Sequence, residues 1–381
     1  MKALIAVASL FFVLVISGCL GSSKSAAAPT LAFIYITGTG DNAIHMENLK
    51  STGELSPSPI SSFSTTPRPV AMVLHPSRNF VYVANQTSNT VSGFTLDHAS
   101  GVLTPVGTAL PPTPVCSSAS VCSNPVSLGI NAAGTFLFVL NQGAVAPATP
   151  APATISIFSI DATRGLLTPI AGSPFSFPSL VAPNPQSLVV SPTAAALYVS
   201  NGTSGTVSGF SIAGSGVLTE VAGSPFTAGA NITGLKIDPK GLFLYAADTA
   251  NNKIAVFSIA GTGALAPAAG SPFATDLGPV ALAIDSTGTF LFSANQAGAT
   301  LSVFKITSGA LAAVGTPMGV VASGSPLPSF VAVDPTNTFV YVANPGTRNV
   351  SGFTIHPDGS LTPIASPFQQ TIGPQALLIA Q

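Results

Sequence analysis

The side chains that could do chemistry are few and far apart in this sequence. Four histidines, His45, His75, His98 and His356, share the chain with twelve carboxylates and eleven lysines and arginines. Hydrolysis of an ester or lactone calls for a group that moves protons, a group that stabilises the oxyanion, and a pocket that holds both. The histidines are predicted to fall in separate turns or strands with no shared pocket, and Glu47, Glu54 and Glu220 are predicted to be isolated in the same way. Neither a Ser-His-Asp arrangement nor a metal-binding spacing emerges. Arg68 is the one cation next to a probable recognition loop, where it could contact an anion; a solvated loop arginine is the plainer reading. No cofactor motif is present: GTGDNA (38 to 43) joins two strands instead of opening a helix, so its glycines serve backbone geometry.

Three cysteines remain to be placed. Cys116 and Cys122 lie in CSSASVC and form an even pair once Cys19 is set aside. A disulfide closing a surface loop is expected, with a metal site as the alternative that would need further ligands at suitable spacing. Cys19 follows a run of about 14 apolar residues from Ala3 to Ile16, too short for the roughly 20 that span a bilayer and typical of a signal segment. Ile16-Ser17-Gly18-Cys19 resembles a bacterial lipobox, which implies lipid attachment at Cys19; an ordinary secretory signal is the alternative. The expected organisation is a signal segment over 1–18, a small polar tether over 19–30 and a folded body over 31–381. Leu20 in place of Asp after the lipobox implies the outer membrane or cell surface.

Composition narrows the class of the body. Only 6% of residues are charged and the net charge is −1, while glycines number 36 and prolines 34. An ordinary domain carries about 25% charged residues. With no basic stripe, nucleic acid is not an expected partner and contact with membrane is expected through the lipid alone. Short apolar stretches between Gly, Pro, Ser and Thr clusters describe an all-β chain of many short strands. Helices are not expected in the body.

The elements that must position any site repeat along the chain. FVYVANQTSNTVSGFTL (80 to 96), LYVSNGTSGTVSGFSI (197 to 212), LYAADTANNKIAVFSI (244 to 259), LFSANQAGATLSVFKI (291 to 306) and VYVANPGTRNVSGFTI (340 to 355) share one pattern. The period of about 47 residues suits a four-stranded propeller blade. Each unit reads as an apolar first strand, a turn such as DPKG or DPTN, a YVAN-type second strand, an SGF-type third strand, a weak fourth strand and an SPF-type loop. First strands begin near Pro69, Pro125, Pro185, Ile232, Pro279, Pro328 and Pro374. The last, 374–381, has no second strand after it, whereas LAFIYITG (31 to 38) has no first strand before it. Together they complete one blade, so a seven-bladed propeller closed by its C-terminal strand is predicted, which removes two exposed sheet edges.

The absence of Trp removes the Trp-Asp signature of one propeller class. The YVAN and SGF segments resemble the YVTN repeats of bacterial surface propellers and the lactonase-like family that includes phosphogluconolactonase. That resemblance implies a central funnel built from loops entering the first strand and loops joining the second to the third. Asn85, Asn141, Asn201, Asp248, Asn295 and Asn344 begin the latter loops and form a candidate funnel ring. The competing reading is that they bond their own turns. The resemblance also implies Arg, His and Glu in one blade; the matching stretch has Val70, Ala71 and Gln86 in those places, keeping Pro69, His75-Pro76 and Asn85. The expectation is therefore a monomeric binding or scaffold module at the cell envelope. It would contact a protein or glycan through the long loops of blades two and three (110–125, 144–154 and 175–185). A lactonase with a diverged site is the alternative.

Overall fold

A computed structural model describes residues 30–38, 40–107, 113–115, 124–143, 153–176, 184–321, 324–365, 368–370 and 372–381. Every regular element in these residues is a strand, and they form seven antiparallel sheets. The innermost strands are Pro69–Leu74, Pro125–Ile130, Leu188–Val190, Ile232–Ile237, Pro279–Ile284, Phe330–Val333 and Pro374–Ala380. Each packs against the next around the ring, ending with Pro374–Ala380 against Pro69–Leu74. That C-terminal strand pairs with Thr30–Gly38, Phe33 opposite Ala380 and Thr37 opposite Ala376. Strands whose paired residues Phe33 and Ala380 lie 347 positions apart (380 − 33) thus build one blade, as the two half-repeats require.

Two innermost strands start later than their sequence suggests, at Leu188 and Phe330 instead of the prolines upstream. In the first case the Ser200 hydroxyl takes the Ser187 N–H at 2.9 Å in place of a ladder carbonyl, so regular pairing begins one residue on. The outer edge also differs. The segment expected to be a plain SPF loop forms a two-residue strand in six blades, as at Phe226–Thr227, and pairs back with the third strand beyond the short fourth strand. In the first blade both pieces merge into Leu55–Ser64. A doubled, interrupted outer rim offers no long free edge for another strand to extend.

The core is not one cluster but seven, each filling the gap between neighbouring blades. Phe94, Phe158, Phe210 and Phe353, the repeated third-strand aromatics, are fully buried in these gaps. The second-strand tyrosines do something further. Tyr35 donates its hydroxyl to Gly101 O at 2.6 Å, Tyr82 to Gly165 O at 2.8 Å, Tyr198 to Gly263 O at 2.8 Å and Tyr341 to Gly53 O at 2.7 Å. In each case the acceptor belongs to the next blade's turn between third and fourth strands. Those four glycines have φ between 69° and 85°, the left-handed region that favours Gly. A buried aromatic therefore both fills the gap and fixes the angle between blades.

Candidate functional site

The upper mouth of the axial channel is made where innermost strands begin. In five blades a bulge interrupts pairing at that point, between Pro69 and Ala71, across Val126, between Ile232 and Leu235, between Pro279 and Ala281, and across Gln375. A bulge frees one residue from the ladder and re-aims its side chain, here Val70, Val126, Thr233, Val280 and Gln375. Gln186 and Ser329 hold the matching positions in the other two blades. The mouth is thus apolar on the blades of Val70, Val126 and Val280 and polar elsewhere.

Most of the polar groups are engaged in fastening one blade to the next. Gln142 Nε2 donates to Asn184 Oδ1 at 2.5 Å, which also accepts from Gln186 Nε2 at 2.9 Å. Thr233 and Thr249 share a hydroxyl contact of 2.8 Å, and Thr249 Oγ1 donates to Pro279 O at 2.6 Å. Ser329 Oγ reaches Gln375 O at 3.3 Å. These bonds form a belt of neutral amides and hydroxyls that can recognise hydroxyl groups yet move no protons.

Two groups on the blade that begins at Pro69 stand outside that belt. Arg68 is exposed and its guanidinium makes no ion pair among the described residues. Its backbone sits at φ 60°, immediately before Pro69, a position where a following proline already restricts the chain. Left-handed backbone at a non-glycine residue costs about 1–2 kcal/mol, and such strain is concentrated at functional sites. Arg68 O accepts the Gln86 N–H at 2.8 Å, and Gln86 Oε1 is buried without a partner. One backbone hydrogen bond therefore joins the residue with the exposed cation to the residue with the buried acceptor. Asn124, Gly278 and Leu327 also have positive φ before a proline, at 55°, 67° and 50°. The kink thus belongs to the rim, and only at Arg68 does it present a charge.

The proposed funnel ring of Asn85, Asn141, Asn201, Asp248, Asn295 and Asn344 does not face the funnel. All six are buried, at most 2% exposed. Asn201 Nδ2 donates to Thr206 Oγ1 and Ser208 Oγ at 2.9 Å each. Asn141 does so to Thr154 and Ser156, and Asn295 to Thr300 and Ser302. Asp248 Oδ1 instead accepts from the Ala230 and Asn231 N–H groups at 3.2 Å. These residues staple the second strand to the third, the turn-bonding role that competed with ligand contact.

The histidines are less scattered than their spacing suggests. His75 lies at the other end of its strand, buried, with Nε2 on Gly134 O at 2.8 Å and Nδ1 on Ser77 Oγ at 2.8 Å. His98 meets Gln381 O at 3.0 Å and His356 meets Thr362 Oγ1 at 2.7 Å. His45, however, pairs with Asp41 at 2.7 Å. Glu47 lies beside it, its carboxyl pushed above the ordinary range by burial, which outweighs the nearby His45. The expectation that His45 and Glu47 stand alone is corrected: Asp41 lies within hydrogen-bond reach of His45, and His45 lies near Glu47 on the same strand. These residues lie on the third strand, Ala43–Lys50, away from the channel. Glu54 contacts Lys50 at 3.9 Å, and Glu220 Oε1 accepts from Ser224 Oγ at 3.0 Å.

Among the described residues no three His, Cys, Asp or Glu side chains lie close enough to hold a metal ion. Cys19, Cys116 and Cys122 lie outside the described residues, as do the central parts of the three long loops. No helix of the described residues is long and apolar enough to cross a membrane.

Comparison with known proteins fits this geometry. The family model described as lactonase, seven-bladed β-propeller, matches residues 21–119 and 223–325, together just over half of the chain. No curated protein sequence matches. Among solved structures, the periplasmic gluconolactonase of Pseudomonas aeruginosa is similar with a TM-score of 0.74 at 19% identity, covering 92% of this chain and 99% of its own. A Lactobacillus plantarum protein gives 0.74 at 18%, covering 93% and 100%. A functionally unknown protein from Desulfotomaculum acetoxidans gives 0.69 at 16%, covering 91% and 98%. At such identities these structures speak for the fold alone, and the family model adds the lineage: the chain belongs to the lactonase family of seven-bladed β-propellers.

Proposed function

We propose that this protein is a lactone-directed propeller of the cell envelope, exported and anchored through Cys19, whose upper mouth takes a sugar-derived lactone. The observation that carries this reading is the exposed guanidinium of Arg68, which makes no ion pair among the described residues and stands at the entrance of an innermost strand. Family membership supports lactones as the ligand class ahead of an unspecified protein or glycan. The Pseudomonas gluconolactonase, described as periplasmic, lends support to a site of action outside the cytoplasm.

The chemistry follows from that guanidinium. As water adds to the lactone carbonyl, negative charge grows on its oxygen, and a guanidinium aimed there stabilises it. Gln86 cannot take the proton from the attacking water, because its side chain is a neutral amide and its Oε1 is buried. Proton removal then falls to solvent, and hydrolysis is expected to be slow beside that of an enzyme with a carboxylate base. The belt of Gln142, Asn184, Gln186, Thr233 and Thr249 would contact sugar hydroxyls.

A second reading, binding without turnover, is favoured by one observation: none of the mouth groups described above is a histidine or a free carboxylate. Hydrolysis of gluconolactone and 6-phosphogluconolactone by the purified protein, followed by acid release, separates the two. Turnover that falls roughly 100-fold in Arg68→Ala supports the first. Saturable binding lost in Arg68→Ala, with no turnover above buffer, supports the second. Neither turnover nor binding would overturn both. Contact with a protein or glycan through the loops of the second and third blades is a separate proposal resting on sequence.

A further inference from the structure

The described chain enters the ring from below. Pro374–Ala380 runs from the upper mouth toward the opposite face, and its partner Thr30–Gly38 sets Gly38 beside Pro374 and Phe33 beside Ala380. Thr30 therefore lies at the lower face, where innermost strands end, and the strand climbs from there. Thr30 follows Cys19 by eleven positions. That length of chain spans at most ~36–40 Å. Rising past a nine-residue strand takes ~30 Å of it, before any turn over the loops around Arg68. An anchor at Cys19 therefore holds the lower face toward the lipid and the mouth away from it.

One sector of that lower face is free of charge. Turns 131–135, 191–195 and 213–217 carry no Asp, Glu, Lys, Arg or His. A groove of about 390 Å³ opens between them, walled by Ala132, Ala133, Phe136, Ala194, Ile212 and Ala213. Val217 closes the third of these turns and is 43% exposed. From the next blade, Lys240 O accepts the Thr193 hydroxyl at 3.4 Å, which brings up the turn carrying Leu242, 51% exposed. Lys240 is itself exposed. Aliphatic side chains next to a lysine on an otherwise uncharged surface match a phospholipid boundary: the aliphatic groups enter the acyl margin while the amine stays among the phosphates. Leu277 and Leu327, 53% and 46% exposed, form a comparable pair at the upper mouth, which the same anchor turns away from the lipid.

We propose that the protein rests on the phospholipid bilayer through this sector of its lower face, with Val217 and Leu242 entering the lipid and the mouth of Arg68 open to the aqueous side. This orientation rests on the Cys19 anchor and does not depend on lactone turnover. A water-soluble ligand then reaches Arg68 without passing beneath the ring.

Hydroxyl-radical footprinting, read by mass spectrometry at these four exposed side chains, tests the orientation without any variant. The full-length protein recovered from membranes is reconstituted in phosphatidylethanolamine–phosphatidylglycerol vesicles and compared with the chain beginning at residue 20 free in solution. On vesicles Val217 and Leu242 should lose most of their oxidation, while Leu277 and Leu327 keep theirs. Loss at Leu277 and Leu327, or at neither pair, would overturn the proposal. Oxidation of Val217 and Leu242 that is already suppressed in the free chain at the same concentration would mean that a second copy covers the face, and would overturn the lipid assignment. Intact mass of the recovered protein reads acylation of Cys19 separately. If Cys19 is bare the anchor reading fails, and the chain from residue 20, held to nickel-chelating lipid by an N-terminal hexahistidine tag, decides the face by the same footprint.

Discussion

The hydroxyl of Tyr341 donates to the carbonyl of Gly53 across 2.7 Å, joining residues 288 positions apart. It is the same contact that Tyr35, Tyr82 and Tyr198 make with the blade after theirs, but here it spans the seam where the last blade meets the first. Ring closure therefore uses the ordinary inter-blade contact in addition to the shared sheet. Tyr341→Phe should cost about 1–3 kcal/mol, because it strands a buried carbonyl, as measured by urea unfolding. Tyr245 offers an internal control: its hydroxyl is buried without a partner, so Tyr245→Phe should be neutral or stabilising.

The glycine side of the contact can be tested separately. A Cβ on Gly53 would lie 2.5 Å from the Phe339 ring, at φ 83°. Gly172 has nearly the same φ, 85°, with nothing within 4 Å. Gly172→Ala should show the backbone cost alone, about 1–2 kcal/mol. Gly53→Ala should lose a further 1–3 kcal/mol or so from overpacking. Thermal unfolding of the two variants side by side reads the difference.

All five tyrosines are buried, and burial raises each phenol above its ordinary value, Tyr198 to about 12 and the others further. A raised native pKa keeps its contribution to stability in full below the unfolded value of 10.0 and loses it as pH climbs toward the native value. Each tyrosine can withdraw up to about 1.4 kcal/mol per pH unit in that window. Absorbance near 295 nm should accordingly stay flat above pH 10 and then rise for all five phenols in one step, together with loss of β-sheet circular dichroism. Gradual, independent titration would contradict the buried placement.

The buried asparagines give a contrasting outcome. Asn201→Ala removes two hydrogen bonds of 2.9 Å made by a buried side chain and should cost about 1–3 kcal/mol. Ligand binding at the mouth, measured by calorimetry below the lowered melting point, should be unchanged. A ligand-contact role would reverse that pattern.

Arg68→Gly separates strain from charge. Glycine accepts φ 60° freely, so this variant should be more stable than wild type by up to about 1 kcal/mol, while lactone binding falls as it does in Arg68→Ala. A loss of stability would show that the guanidinium is held by contacts beyond those of the mouth.

Strand identity, the blade count and the closing strand were legible because they rest on local rules. A period-2 pattern at each SGF segment, turn residues such as Asp-Pro and Gly, and an unmatched half-repeat at each end specify the elements and their number whatever surrounds them. Contacts between repeats were not legible. Nothing in the spacing of Tyr341 and Gly53 marks them as neighbours; blade packing at the seam creates that pair. The asparagine ring shows the same limit: a repeated amide at a strand end reads alike whether it faces ligand or turn, and only the third-strand hydroxyls at 2.8–3.1 Å from Asn141 and Asn201 decided for the turn. The sequence by itself determined a seven-bladed ring with a chemically sparse mouth. Tertiary structure alone decided which polar groups stay without a partner, among them Gln86 Oε1 and the Tyr245 hydroxyl, because hydrogen-bond satisfaction depends on the neighbouring blade and not on the residue's own strand.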